Sequence, residues 1–235
     1  MVEHQNMPRK GRGRIRRKVI YIVVSIVLVA LLLSLFFESQ NSQSKPIILY
    51  VNQGNGVVDE SNFGTMLSFA SSHGFNTIFF QVYRTGSLLF SSNDLSSFVN
   101  QSHAQGLKIF FALYFTNSSQ LMPNAIFGLG EDGISLDAST LSLSTQESLL
   151  TGLAPCRCQT AVTTTDMSSP LKPDLLVLET YGPAFQQYIR PGIIASVGVF
   201  ATSSQADYQS QFQYALGNSD GVMVFDYAGL LKSGY

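Results

Sequence analysis

Three acids in this chain each close an apolar run: Asp137 ends GISLD, Glu179 ends LLVLE and Asp226 ends GVMVFD. A carboxylate at the end of a buried strand must be hydrogen-bonded, paired or used, because burying it bare is costly. Two carboxylates facing each other across a cleft are what glycoside cleavage needs. One protonates the leaving oxygen, and the other attacks the anomeric carbon or activates water. Asp137, Glu179 and Asp226 are therefore the candidate catalytic residues. Gln81, Tyr83, Arg84, Tyr114, Tyr181 and Tyr227 stand at the ends of similar runs. They are the candidate substrate-binding residues, with the tyrosines offering sugar rings flat faces to stack on. The structural alternative is that a strand-end Asp caps the following helix, as Asp137 would through Ala138-Ser139-Thr140, and that strand-end tyrosines pack the fold.

Other chemistries lack their parts. No Gly-x-Ser-x-Gly turn leads from a strand into a helix, so a serine nucleophile has no elbow. No P-loop or Gly-x-Gly-x-x-Gly follows a strand; Gly54-Asn-Gly56 after the first run is a fragment of one. Neither His73 nor His103 has a metal-ligand partner at short spacing. Cys156 and Cys158 are separated by Arg157 alone. A bridge across one residue is strained, so the pair is not read as a stabilising framework; a redox pair and a metal site are the other readings, the last without a nearby His. No cofactor and no metal is expected.

The acids must be held by something, and a rhythm of runs supplies it. Apolar, β-branched or aromatic stretches recur at Pro46–Asn52, Thr77–Tyr83, Lys108–Phe115, Gly133–Asp137, Gln159–Thr165, Leu175–Tyr181, Ile193–Ala201 and Gly221–Tyr227. Between the first two, Phe63, Met66, Leu67 and Ala70 fall at helical spacing and stop at His73-Gly74. Leu95–Gln105 repeats the pattern before Gly106, and Gln205–Leu216 before Gly217. Strands apolar nearly throughout are covered on both faces, as in parallel sheets. Eight with interposed helices predict a compact α/β (β/α)₈ barrel of TIM type, whose working residues lie at the C-terminal strand ends. An open doubly wound sheet is the runner-up.

The N-terminus is different in kind. From Val19 to Phe37 the chain reads VIYIVVSIVLVALLLSLFF, without a charge. About 20 apolar residues at 1.5 Å rise cross a hydrocarbon core of about 30 Å. Arg9, Lys10, Arg12, Arg14, Arg16, Arg17 and Lys18 precede it and would hold that side in the cytoplasm. The apolar run is longer than a signal-peptide core and exits through Phe36, Phe37 and Glu38, with no Ala-x-Ala site. The expected plan is a basic cytoplasmic stub over 1–18, a transmembrane helix over 19–37, a polar tether over 38–45 and an extracytoplasmic domain over 46–235. From Ser39 onward seven Lys/Arg stand against thirteen Asp/Glu, a net of about −6. That surface is a poor partner for nucleic acid.

The stretch GFNTIFFQVYRTGSLLFSS (74–92) resembles the second-strand region of glycoside-hydrolase-like barrels, where a Gln-Val-Arg is followed by Gly and then Tyr or Phe with Ser. EDGISLDAST (131–140) is similar to their fourth strand, and DGVMVFDYAGLL (220–231) to their last. LLVLETYG (175–182) is similar to the Glu-ending strand of polygalactosaminidase-type glycosidases. The resemblance implies a (β/α)₈ barrel acting on, or descended from enzymes acting on, polysaccharide, with Asp137 and Glu179 at the positions of the family's acids. Two features depart from it: the arginine follows a Tyr rather than the Val, and the fourth strand carries one Asp before Ala-Ser. The function expected is a membrane-anchored, extracytoplasmic glycosidase-like protein at the cell surface. The alternative is a glycan-binding or envelope protein that kept the barrel without the reaction.

Overall fold

The computed structural model describes residues 44–55, 58–117, 119–120, 122–166, 168–179, 181, 185–199 and 204–234. The basic stub, the run over 19–37 and nearly all of the tether lie outside the described residues. Among the described residues no helix is long and apolar enough to cross a membrane. Lys45–Tyr235 form one compact unit.

Eight parallel strands close on themselves. They are β1 (Ile47–Val51), β2 (Thr77–Arg84), β4 (Lys108–Tyr114), β5 (Gly133–Asp137), β6 (Gln159–Thr164), β7 (Leu175–Glu179), β8 (Ile194–Gly198) and β9 (Gly221–Phe225). Each pairs with the next in chain order around the ring, and β9 and β2 both pair with β1. The short β3 (Ser87–Leu88) folds back antiparallel on β2. This is the TIM-type barrel, and closure through β1 excludes the open sheet.

The helices are α1 (Phe63–Ser72), α2 (Ser92–Ala104), α3 (Leu143–Gly152), α4 (Phe185–Tyr188), α5 (Gln205–Asn218) and α6 (Tyr227–Lys232). α2 starts on a capping box, in which Ser91 and Asp94 satisfy each other's backbone N–H groups. The chain leaves α1 and α2 through Gly74 and Gly106 at positive φ, as their sequence positions predict. α5 runs past Gly217 and stops at Ser219, whose backbone N–H and hydroxyl both donate to the Ala215 carbonyl, the hydroxyl at 2.7 Å. The barrel is spare: a single 3₁₀ turn, Asn124–Ile126, lies between β4 and β5, and no helix lies between β6 and β7 among the described residues.

Strand alternation divides the apolar residues into two cores. Leu49, Phe80, Phe111, Ile134, Val162 and Val224 point outward against Met66 and Leu67 of α1, Leu95 and Phe98 of α2, and the other helices. Ile48, Tyr50, Phe79, Phe110, Ala161, Val177, Ile194 and Met223 point inward and fill the barrel. Phe79 and Phe110 stack there with centroids 4.9 Å apart. Gly133 makes room for them, since a Cβ on it would lie 2.2 Å from the Phe110 ring.

One irregularity matters for the site. Between Gln81 and Tyr83 the register of β2 on β4 slips by one residue. Val82 and Tyr83 consequently both face the outer core, and Arg84 turns to the inner side. At the opposite end of the barrel, Cys156 and Cys158 are joined as a disulfide across Arg157, which takes a left-handed φ of 54°. The pair is thus bridged despite its spacing, in the turn that leads into β6.

Candidate active site

Period-two alternation on β5 puts Gly133, Ser135 and Asp137 on the inner face, the first for space and the last at the C-terminal rim. Glu179 reaches the same rim from β7, two strands round the ring. Both acids line one cleft of about 220 Å³, together with Gln81, Arg84 and Tyr114. Asn52, Ser139 and Phe225 complete its wall.

Each acid is held by a phenol. The Tyr50 hydroxyl donates to Asp137 Oδ2 at 3.2 Å. Tyr50 is fully buried, with its ring 5.0 Å from Phe225. The Gln81 amide bonds the Tyr50 oxygen, and Gln81 Oε1 accepts from the Gln53 backbone N–H at 3.0 Å. The amide is thereby oriented, and the phenol's own proton is left for Asp137. On the other side the Tyr181 hydroxyl donates to Glu179 Oε1 at 3.2 Å and lies 3.0 Å from Ser196 Oγ. Much of the Tyr181 ring is exposed, at 38%, while its hydroxyl tip sits inside the rim.

The electrostatics follow from this burial. Desolvation pushes the Asp137 pKa up to about 7; the Glu179 charge adds to the rise, and the Tyr50 hydrogen bond opposes it. Burial also raises Glu179, against the stabilising hydrogen bond from Tyr181. Tyr50 and Tyr181 are both raised, first by burial and then by the acids beside them, so at neutral pH they remain hydroxyl donors. An acid poised near neutrality, raised by burial and by the charge of a second carboxyl group in the same cleft, can divide the roles of proton donor and anion with it.

The remaining sequence candidates lie elsewhere. Asp226 sits one residue beyond β9, and its Oδ1 accepts from the Gly229 N–H at 2.9 Å, capping α6. Tyr227 lies in the outer core against Phe69, centroids 5.2 Å apart, and Tyr83 lies there against Phe115 at 5.1 Å. The residues that strand-end reading misses are Tyr50, Ser139 and Phe225. Parity was the available signal for two of them: Tyr50 shares a face with Ile48, and Phe225 with Met223.

Two other sites fail on position. Gly217-Asn-Ser219-Asp-Gly221 has the nucleophile-elbow spacing, but it leads from a helix into a strand. Ser219 is buried with its hydroxyl spent on the Ala215 and Gly221 carbonyls. Among the described residues, Glu131, Cys156 and Cys158 bring three potential metal-ligand atoms within 4.8 Å of one another. The two sulfurs are bonded to each other, and Glu131 accepts from the Gly128 and Leu129 N–H groups, so the set does not fit a thiolate metal site.

No family model matches the sequence, and neither does any curated protein. Solved structures do match in shape. The chain is similar to the GH18 chitinase ChiB from the chitin utilization locus of Flavobacterium johnsoniae, with a TM-score of 0.52 and 11% identity over 80% of this chain and 89% of that one. It is similar to a xylanase-A-amylase inhibitor protein, with a TM-score of 0.52 and 9% identity over 81% of this chain and 96% of that one. An uncharacterized B. cereus protein aligns at a TM-score of 0.48 and 14% identity over 80% of this chain, which spans 63% of that protein's length. Likeness at such identities defines the fold, a glycoside-hydrolase-like parallel barrel. That fold serves an enzyme in one neighbour and an inhibitor in another, so function must be argued from the site.

Proposed function

We propose that this chain is a glycosidase-like protein, anchored in the membrane by residues 19–37, whose outer barrel cleaves surface or extracellular polysaccharide with Asp137 and Glu179. The observation that carries the reading is a buried Asp137 at the C-terminal rim, raised to about 7 by burial and by the charge of the half-buried Glu179 that lines the same cleft. Asp137 is the proton donor to the leaving oxygen. Glu179 is the anion that attacks the sugar or activates water, and Tyr181 fixes its orientation. Tyr114 and Phe225 give the sugar an apolar wall.

A second reading has its own observation. Each acid belongs to a separate hydrogen-bond network, Asp137 with Tyr50 and Gln81, Glu179 with Tyr181 and Ser196. A barrel that only binds glycan would also satisfy its acids in this way.

The test is hydrolysis of neutral, amino-sugar and acidic polysaccharides by the full chain in detergent micelles, beside Asp137→Asn and Glu179→Gln. Loss of general acid–base assistance costs about 10²–10⁴-fold, and a lost nucleophile more. Equal turnover in all three proteins would remove the pair from catalysis. Binding without turnover in the unmodified chain would establish the second reading. Topology is tested separately: protease added to intact cells should remove the barrel and spare the basic stub, and protection of the whole chain would overturn the anchor's orientation.

A further inference from the structure

Arg84 is held in the cleft in an unusual way. The slip in β2 brings it to the inner side, where its guanidinium carbon lies 5.6 Å from the centroid of the Tyr114 ring. Nη1 lies 3.5 Å from Asn52 Oδ1, an oxygen already accepting the Gly54 N–H at 2.7 Å. The group packs so closely on the backbone of Gly54 that a Cβ there would fall 2.0 Å from Nη1. A ring, an amide oxygen and a glycine thus fix the fork, using few of its five N–H donors.

What the fork lacks is an anion. Among the described residues no carboxylate comes within 4.0 Å of it; the ion pair found there is His103–Asp132 on the exterior. Arg84 is not among the groups that lower the pKa of Asp137 or Glu179, where the opposing influences are the Tyr50 and Tyr181 hydrogen bonds. A half-buried cation held away from the acids of its own cleft is in place for a charge that arrives with the ligand. Guanidinium matches oxyanions that present two oxygens side by side, through two parallel charge-assisted hydrogen bonds. The domain's net negative charge gives polyanions no general attraction, so recognition of this kind would be local to one sugar.

We propose that Arg84, held by Asn52, Gly54 and Tyr114, forms a subsite for an acidic sugar residue bearing a carboxylate or a sulfate. The proposal rests on the glycan reading of the cleft and names its substrate class.

The experiment measures binding by the full chain in detergent micelles at 0.15 M salt, using two matched pairs of trisaccharides. Galacturonate trisaccharide against its methyl ester tests a carboxylate; N-acetylglucosamine trisaccharide with and without 6-sulfate tests a sulfate. In at least one pair the charged member should bind about 10–100-fold more tightly than its neutral twin, as charge-assisted hydrogen bonds allow. Arg84→Gln should erase that gap while leaving the neutral twin's affinity within about twofold. Arg84→Lys should restore only part of it, and Gly54→Ala should narrow it by displacing the fork. Equal affinity within both pairs, an equal loss for both twins in Arg84→Gln, or no binding of any of the four would overturn the subsite. Hydrolysis of the same sugars is scored apart. A charge gap without cleavage leaves the subsite standing and removes the hydrolase reading; cleavage without a gap does the reverse.

Discussion

Toward the N-terminal ends of the strands the barrel interior is filled by Ile48, Phe79, Phe110, Ile194 and Met223. Toward their C-terminal ends the same interior presents Tyr50, Gln81, Asp137, Thr163, Glu179 and Ser196. Burial gains free energy in the first half, while in the second the withdrawal of polar groups from water costs it. The apolar floor holds the ring of strands closed. The polar mouth is a load that the floor and the outer core support, and in return the acids acquire pKa values that water would never give them.

The largest effects should come from breaking the floor. Phe110 is 1% exposed and stacked on Phe79, so Phe110→Ala leaves a cavity at the centre of the barrel. We expect a loss of about 3–5 kcal/mol by denaturant unfolding. The corresponding change in the mouth should be small. The Thr163 hydroxyl is buried without a hydrogen-bond partner among the described residues. Thr163→Val, which trades it for a methyl of the same shape, should shift stability by no more than about 1 kcal/mol. Comparable losses in the two variants would end the distinction between floor and mouth.

The next effect sharpens the comparison through pH. Burial raises Asp137 from an ordinary carboxyl value to about 7, so between about pH 4 and pH 7 the folded chain keeps a proton that the unfolded chain has released. Stability contributed by this group is therefore present at low pH and lost as pH rises to 7. Each pKa unit is worth about 1.4 kcal/mol, which puts the loss at a few kcal/mol, and Glu179 adds in the same direction. Asp137→Asn removes that penalty. Its thermal midpoint should exceed that of the unmodified chain at pH 8 and match it near pH 4, with turnover abolished. A variant less stable than the parent at both pH values would mean that the Asp137 carboxylate is supported by partners beyond Tyr50.

How far the sequence foretold this arrangement depends on the kind of signal. The eight strands were legible because a strand covered on both faces is apolar nearly throughout, and runs of five to nine such residues are too short for the membrane span read over 19–37. That Asp137 and Glu179 reach one rim was legible because both end such runs, but the same signal picked out Asp226, which caps a helix. The slip at Val82 was not, since one extra residue leaves the run TIFFQVYR looking regular while it sends Tyr83 outward and Arg84 inward. Tyr50 was hidden for a different reason. In IILYV it reads as one more apolar residue, and only knowledge of which face closes around the axis makes its hydroxyl a partner for Asp137.

A smaller effect than that of Asp137 concerns the third strand-end acid, and it separates position from role. Asp226 and Asp137 end similar runs, but Met223 and Phe225 take the inward parity of β9, which leaves Asp226 to turn the chain into α6. Its Oδ1 accepts the Gly229 N–H, and Gly229 itself packs so tightly that a Cβ would lie 2.2 Å from the Val199 carbonyl oxygen. The cap thus fixes a six-residue helix whose Tyr227 and Leu230 are buried in the outer core. Asp226→Ala should cost about 0.5–2 kcal/mol, the usual worth of such a cap, and Asp226→Asn much less because the amide oxygen can still accept. Turnover should stay within about twofold in both variants. The two aspartates then move in opposite directions at pH 8: one substitution weakens the fold and keeps the activity, while the other strengthens the fold and abolishes it. Thermal midpoints beside initial rates for the four proteins make the comparison. A tenfold loss of turnover in Asp226→Asn, with its midpoint unchanged, would return Asp226 to the acids that act on substrate.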